Sequence, residues 1–425
     1  MPMRIAKASL IDPDQNAFYG TMAVALSLFV FAYSSRFGQI SILAYYGVWL
    51  PLVLLDYRRV LGNYVRFLWI FGFAAFCFLS VFWSPAPGIS LRTAIQYLTH
   101  IICALIAMRT LSIATLTRGA ICGCAVVILY SLLFGVYHFD PLDGSYSFVG
   151  AFASKNQLGF YASLGLLFAY AGIMVLRLGG LWLLAGAGTA LLSAYSLLAS
   201  QSATSVLTTV LILGVLAGLQ VLGRLAPTAR KLLFAGGLVV LVVGANAALG
   251  LGAMDAVLGI FGKDSTLTGR TYLWQQGIEA ARQSPIIGSG YQGYWVQGFP
   301  EAERLWEEFY IGSRSGFHFH NTYIETMVET GVIGTVLLCL VLLTGFIGHL
   351  KRVLHERRSP ESTVLFSVLA LLLIRSFVEI DIMHPYHVGS FLLYFSVGKL
   401  TLKSPAYAAM PGLGQPIHSM RPHAI

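Results

Sequence analysis

The chain has 425 residues, of which 57% are hydrophobic and 11% charged, and its net charge is +9. A soluble domain carries about 25% charged residues, so this composition excludes a water-compatible globular surface and points to an integral membrane protein. The basic excess belongs to topology and anionic-lipid contact, not to nucleic acid.

Apolar stretches long enough to cross about 30 Å of hydrocarbon recur along the chain. Each must be helical, because hydrocarbon offers backbone groups no water partner. The predicted fold class is therefore all-α: a polytopic membrane protein of about twelve transmembrane helices. The spans fall at Ala17–Ser34, Ile40–Leu55, Val65–Trp83, Ala94–Met108, Gly119–Tyr137, Gln157–Leu176, Leu181–Ala199, Thr204–Leu222, Leu232–Leu251, Thr322–Leu350, Thr363–Ile380 and Val388–Leu400. The first is long and lacks a small-residue cleavage site, so it reads as a retained span and not a signal peptide. The expected organisation is helices over 1–251, a polar loop over 252–319, helices over 320–403 and a disordered tail over 404–425, rich in Pro, Gly and His.

Basic residues cluster on alternate connections. Arg4 and Lys7, Arg58 and Arg59, Arg109 and Arg118, Arg224 to Lys231, and Lys351 to Arg358 share one side. The opposite connections hold few: Arg36, Arg92 and Lys155, outside the long polar segment. The positive-inside rule then makes both termini cytoplasmic and the polar segment extracytoplasmic. Cys77, Cys103, Cys122, Cys124 and Cys339 lie in apolar runs and read as small hydrophobes.

The polar segment opens on Asp264-Ser-Thr-Leu-Thr-Gly-Arg270. After Gly269-Arg270, apolar residues 273, 274, 277, 278 and 281 follow helical spacing. That helix should stop at Ser284-Pro285. It is predicted to lie in the interface, with Trp274, Tyr291 and Trp295 at headgroup depth. Arg270 at its start opposes the helix dipole, which favours a functional reason for its presence. The segment closes on His320-Asn321, and Asn321 is a plausible cap for the next span. His320, Ile324, Met327, Gly331 and Gly334 form one helical stripe, whose glycines would let a neighbouring helix approach. Asn321, Glu325 and Glu329 form a second, polar stripe entering the membrane, where acids are costly and default to functional candidates.

Gly269-Arg270-x-x-x-Trp274, Ser284-Pro-x-x-Gly288-x-Gly290 and His320-Asn321-x9-Gly331-x-x-Gly334 together resemble the bacterial O-antigen ligase and polysaccharide polymerase superfamily. Trp83-Ser84-Pro85 with Ser90-Leu-Arg92, and Ser154-Lys155-Asn156-Gln-Leu-Gly159, resemble its earlier outer-loop motifs. Asp264 to Arg270 and Arg375-Ser-Phe-Val-Glu379-Ile-Asp381 look most like succinoglycan-type exopolysaccharide polymerases. One departure stands out. Family members often carry a basic residue after a Ser-x-Ser at an outer helix end, whereas Ser200-Gln-Ser202 is followed here by Ala203.

The resemblance implies a glycosyltransferase of the GT-C-like membrane type in a bacterial inner membrane, with its active site periplasmic. It would transfer a saccharide from undecaprenyl pyrophosphate to a glycan acceptor with inversion, with membrane lipids and a chain-length regulator of polysaccharide export as further partners. The leaving pyrophosphate gains charge in the transition state, which fixed cations stabilise. Arginine suits it because its fork matches phosphate oxygens. Arg270 is the first choice for that clamp, with Arg92, Lys155 and Arg314 as further candidates. His320 is the expected base or orienting acceptor for the attacking hydroxyl. Asn321, Glu379, Asp381 and Trp295 are candidates for acceptor and sugar binding. Tyr291, Trp306 and Tyr310 are aromatics that either stack on sugars or anchor in the interface. No cofactor is expected, and no metal, because no carboxylate triad in the sequence completes a cage with His318 and His320. Two alternatives remain open: a ligase delivering the glycan to lipid A core, and a transporter, although no internal repeat is visible.

Overall fold

The computed structural model describes residues 6–140, 145–250, 259, 269–356 and 359–402. Nine helical segments among these residues are long and apolar enough to cross a membrane. The first runs Ala17–Leu55, where two spans were expected. Its main helix, α1 (Ala17–Trp49), breaks at Gly38, which takes φ +64°. The Val65–Phe82 segment follows and contains α2 (Gly72–Leu79). Then come α3 (Pro87–Thr110), α4 (Ile113–Phe134), α5 (Lys155–Tyr170), α6 (Leu181–Ala199), α7 (Ala203–Leu222) and α8 (Pro227–Gly250). The polar segment holds α9 (Arg270–Gln283) and α10 (Pro300–Glu308). It leads into α11 (Thr322–His355), the last of the nine.

Two shorter apolar helices close the bundle: α12 (Pro360–Arg375) and α13 (Val388–Thr401). Residues Val388–Lys399 of α13 are all buried, so protein rather than lipid surrounds it. Among the described residues the protein is thus a polytopic membrane protein, helical apart from one antiparallel hairpin, β1 (Val136–Asp140) and β2 (Ser145–Gly150). The hairpin corrects the expected helix through Tyr137. α4 ends at Phe134, and Gly135 turns to extended backbone. Its aromatic residues continue the hydropathy of the preceding span, so no polar break marks the change from helix to strand. The Asp264–Thr268 motif and the tail lie outside the described residues.

Basic side chains bind helix ends on one side of the bundle. Arg230 donates to the carbonyls of Val353, Glu356, Gly223 and Leu225. Arg352 reaches Lys399, Leu400 and Leu402, and Lys399 Nζ reaches Leu111 O at 2.8 Å. Terminal carbonyls have no partner within their own helix, and a cation there also suits the helix dipole. The opposite ends of α7, α11 and α12 carry Ser202, Asn321 and Arg375, and this is the side that holds the cleft described below.

α11 is itself interrupted at Gly331 (φ +62°), a backbone conformation that an L side chain rarely adopts. The Ser284–Gly290 loop inserts at this break. Ser289 N donates to Val328 O, Gly290 N to Glu329 O, and Val332 N to Pro285 O. The loop thereby satisfies backbone groups that the interruption frees, which membrane depth demands. A Cβ at Gly331 would collide with the Ile286 backbone. So Gly331 receives a loop, and not the neighbouring helix expected from its spacing. Ser80, Ser84 and Ser90 brace the same loop. Tyr291 N donates to Ser80 Oγ at 2.9 Å, and Ser90 Oγ lies 2.6 Å from both Ser84 Oγ and Tyr291 O.

Candidate functional site

A cleft of about 650 Å³ opens between the starts of α5 and α9, the hairpin, the Phe309–His320 loop and the α12–α13 connection. Arg270, His318, His320, Glu379, Asp381, Lys155 and Asn156 line its polar side. Phe31, Val149, Phe152 and Phe160 line an apolar side. Gly269, with φ +77°, starts α9 and brings Arg270 to the cleft in its first turn.

Glu379 is the hub of this cluster and is 6% exposed. Its Oε1 accepts from Arg270 Nη2 at 3.0 Å and from Asn156 Nδ2 at 2.8 Å. Its Oε2 lies 3.4 Å from His320 Nδ1. A second Arg270 nitrogen, Nη1, donates to Val378 O at 2.9 Å. Burial alone would raise the Glu379 carboxyl, but His320 and Arg270, with Arg375 behind them, outweigh it and hold the group below the usual carboxylate range. His318 is held well below the usual imidazole range, first by burial and then by His320, whose ring centroid is 4.1 Å away. Burial and the neighbouring His387 bring His384 down to about 3.

His320 adopts φ +50°. This left-handed conformation costs a non-glycine residue about 1 kcal/mol, and histidine is among the residues enriched there. It turns the loop so that the imidazole faces Glu379 while Asn321 caps α11. Asn321 Oδ1 accepts from Tyr323 N and Ile324 N, and Nδ2 donates to Phe377 O at 2.9 Å. Both ends of that amide are used in capping α11 and holding Phe377 O, and Asn321 does not line the cleft.

Arg92, Arg314, Trp295, Tyr291 and Trp306 do not line the cleft. Arg92 lies outside the cleft, in a separate hollow with Ala86–Ile89, because the turn it sits on points Ser90 inward and Arg92 out. Arg314 is not a cleft residue either; it pairs with Glu303 at 3.2 Å and Glu307 at 4.0 Å on and beside the exposed face of α10. Trp295 donates to the buried Glu325 at 2.7 Å and packs on Phe317 and Phe319. Tyr291 and Trp306 are buried, Tyr291 with its hydroxyl on Met383 O. Tyr310, 79% exposed, stands at the cleft rim.

A carboxylate does come beside the two histidines. Ligand atoms of His318, His320 and Glu379 lie within 4.8 Å of one another. The arrangement escaped the sequence because Glu379 is 59 residues from His320. Arg270 and Asn156 already occupy Oε1, so an ion there would compete with a guanidinium.

Sequence reasoning gave no role to Asn156, Arg375 or Ser202. Arg375 is 1% exposed, donates to Asp381 Oδ2 from Nε at 2.6 Å, and lies 4.1 Å over the Phe160 ring. It also donates to Ser205 Oγ at 3.3 Å, two residues from the Ala203 that stands where a basic residue is common. The signal was present in the Arg375-to-Asp381 motif, which begins at the last residue of α12.

Comparison with known proteins decides the family. Residues 188–339 match a family model described as O-Antigen ligase. The exopolysaccharide production protein ExoQ of Rhizobium meliloti (strain 1021) is 67% identical over 407 residues, covering 96% of this chain and 94% of its own. The chain belongs to the O-antigen ligase family. It is a multi-pass membrane protein of polysaccharide biosynthesis, of the ExoQ type. Within this family member, the family-model match spans α9, the inserted loop and the start of α11, and so covers Arg270 and His320 but stops short of Glu379.

Proposed function

We propose that the chain is a glycosyltransferase that extends an exopolysaccharide with oligosaccharide units carried on undecaprenyl pyrophosphate, at the periplasmic face of the inner membrane. The convergence of Arg270, His320 and Glu379 on one cleft is the observation that carries this reading. The basic residues at the opposite side of the bundle, read with the positive-inside rule, support this choice of face.

In this reading the acceptor hydroxyl attacks the anomeric carbon from the side opposite the pyrophosphate. The new glycosidic bond forms as the bond from that carbon to phosphate oxygen breaks, and the configuration inverts. The departing pyrophosphate keeps the electron pair. Arg270 and Lys155 stabilise its growing charge in a site whose dipoles are already oriented. His320 Nδ1–H donates to Glu379, which leaves Nε2 to take the hydroxyl proton. Asp381, braced by Arg375, and Tyr310 at the rim hold sugar. The apolar wall of Phe31, Phe152 and Phe160 suits the isoprenoid end of the donor.

The name of the relative, an exopolysaccharide production protein, supports polymerisation. The description of the matching family supports a second reading, ligation of the glycan to lipid A core. Incubating the purified protein with a defined lipid-linked repeat, alone or with lipid A core, separates them. Polymerase activity gives a ladder of lipid-linked products without the core. Products only on the core would make it a ligase, and none on either would remove the transferase reading.

A further inference from the structure

The carboxamide of Asn156 is locked in one orientation by its neighbours. Glu379 can only accept, so the amide must turn its Nδ2 toward Oε1, at 2.8 Å. That leaves Oδ1 to accept from Ser202 Oγ, also at 2.8 Å. Ser202 is the N-cap of α7, and its Oγ accepts from Ser205 N. The two helices come this close because residue 159 is glycine; a Cβ there would collide with the Ser205 side chain. A continuous chain of bonds therefore runs from a fixed helix start, through Asn156, to the carboxylate that Arg270 and His320 share.

We propose that Asn156 is a positioning residue for glycosyl transfer, bracing the Glu379 carboxylate against the Ser202 cap so that Arg270 and His320 stay aimed into the cleft. The proposal rests on the transferase reading above. A carboxylate on a flexible stem that loses one of its donors can rotate, and it carries both dependent groups with it. Misplacing catalytic groups by about 1 Å costs about 100-fold in rate. Asn156 touches no reacting atom in this arrangement, so its effect is transmitted through Glu379.

The test uses the full-length protein in detergent with a lipid-linked repeat, reading kcat, KM and the thermal midpoint. Asn156→Ala removes one hydrogen bond to a charged group and should lower kcat about 10-fold, with the thermal midpoint little changed. Asn156→Asp keeps the shape and still accepts from Ser202, but sets carboxylate against carboxylate; kcat should fall about 100-fold. Asn156→Gln keeps an amide that can donate to Glu379 and accept from Ser202, and should recover part of the kcat that Asn156→Ala loses. That recovery by the conservative variant is one that a merely structural role does not produce. Ser202→Ala added to Asn156→Ala should cost no further activity, because both cut the same chain. Near-parental kcat in Asn156→Ala, no recovery in Asn156→Gln, or losses that multiply when Ser202→Ala is added to Asn156→Ala, would overturn the positioning role. If Glu379→Gln alone transfers normally, the transferase site itself is wrong; if it is impaired while Asn156→Ala is not, only the role of Asn156 fails.

Discussion

Arg270 Nη2 and Glu379 Oε1 meet at 3.0 Å across 109 residues of sequence, with side chains 14% and 8% exposed. The clamp expected for a pyrophosphate is thus tied to an acid. Removing one partner of a buried pair strands the other charge, which costs about 3 kcal/mol. Arg270→Ala should therefore abolish transfer and also lower thermal stability, contrary to what a surface arginine would do. Arg270→Lys keeps the charge without the fork and should recover only part of the activity. Arg92→Ala and Arg314→Ala, outside the cleft, should leave transfer within about threefold of parent, because surface changes of this kind are worth about 0.5 kcal/mol. Full activity in Arg270→Ala, or its loss in Arg314→Ala, measured at matched protein levels, would relocate the clamp.

The His320 imidazole contributes nothing to the α11 cap, which Asn321 supplies. His320→Ala should fold, bind the lipid-linked donor and lose transfer by about 100-fold or more. His320→Gln keeps an acceptor but takes no proton at neutral pH. Substantial transfer by His320→Gln would assign the residue to orienting the hydroxyl instead of deprotonating it. Loss of donor binding as severe as the loss of transfer would move His320 to the pyrophosphate side.

Glu379 supplies a pH signature. Its carboxyl is lowered in the folded protein, so the stability it contributes is fully present above the unfolded-state value of about 4.3 and is lost as pH falls through the lower folded value. The thermal midpoint of the parent should stay above that of Glu379→Gln throughout pH 5 to pH 7, by on the order of the buried-pair effect. The difference should shrink only below about pH 4.3. A gap that closes between pH 7 and pH 5 would mean that Glu379 protonates in the folded state far earlier than this cluster allows.

The sidedness of the cleft is open to labelling. Ser313 lies in the exposed loop beside the cleft, and Ser359 lies just before α12 at the basic side of the bundle. An impermeant thiol reagent applied from outside should modify Ser313→Cys and not Ser359→Cys. The reverse pattern would place the cleft in the cytoplasm, where an extracytoplasmic transferase cannot work.

Much of this architecture was legible from composition and spacing. The apolar runs announce the spans. The apolar spacing after Arg270 and the Ser284-Pro285 stop give α9 its limits, and Asn321 announces the start of α11. What stayed hidden depends on contacts between distant residues. Lone charges cannot be placed by type alone, and so Arg92 and Arg314 stood behind Arg270 as further candidates until geometry separated them. The tie between Asn156, Glu379 and Ser202 needs two helix starts and the α12–α13 connection to meet, which one sequence does not reveal. The hairpin was masked because Val136–Phe139 extends the hydropathy of the span before it. Gly331 read as a packing glycine because helical periodicity runs through it, whereas the inserted loop breaks the helix at that point.

The central claim is that Arg270, His320 and Glu379 carry out an inverting transfer from a pyrophosphate-linked donor. The most direct measurement is a single-turnover reaction of purified protein with a labelled lipid-linked repeat of known anomeric configuration, followed by NMR of the new linkage. The account predicts one inverted linkage formed for each lipid pyrophosphate released, with both products lost together in His320→Ala. A linkage of retained configuration, or undiminished product from His320→Ala, would contradict it.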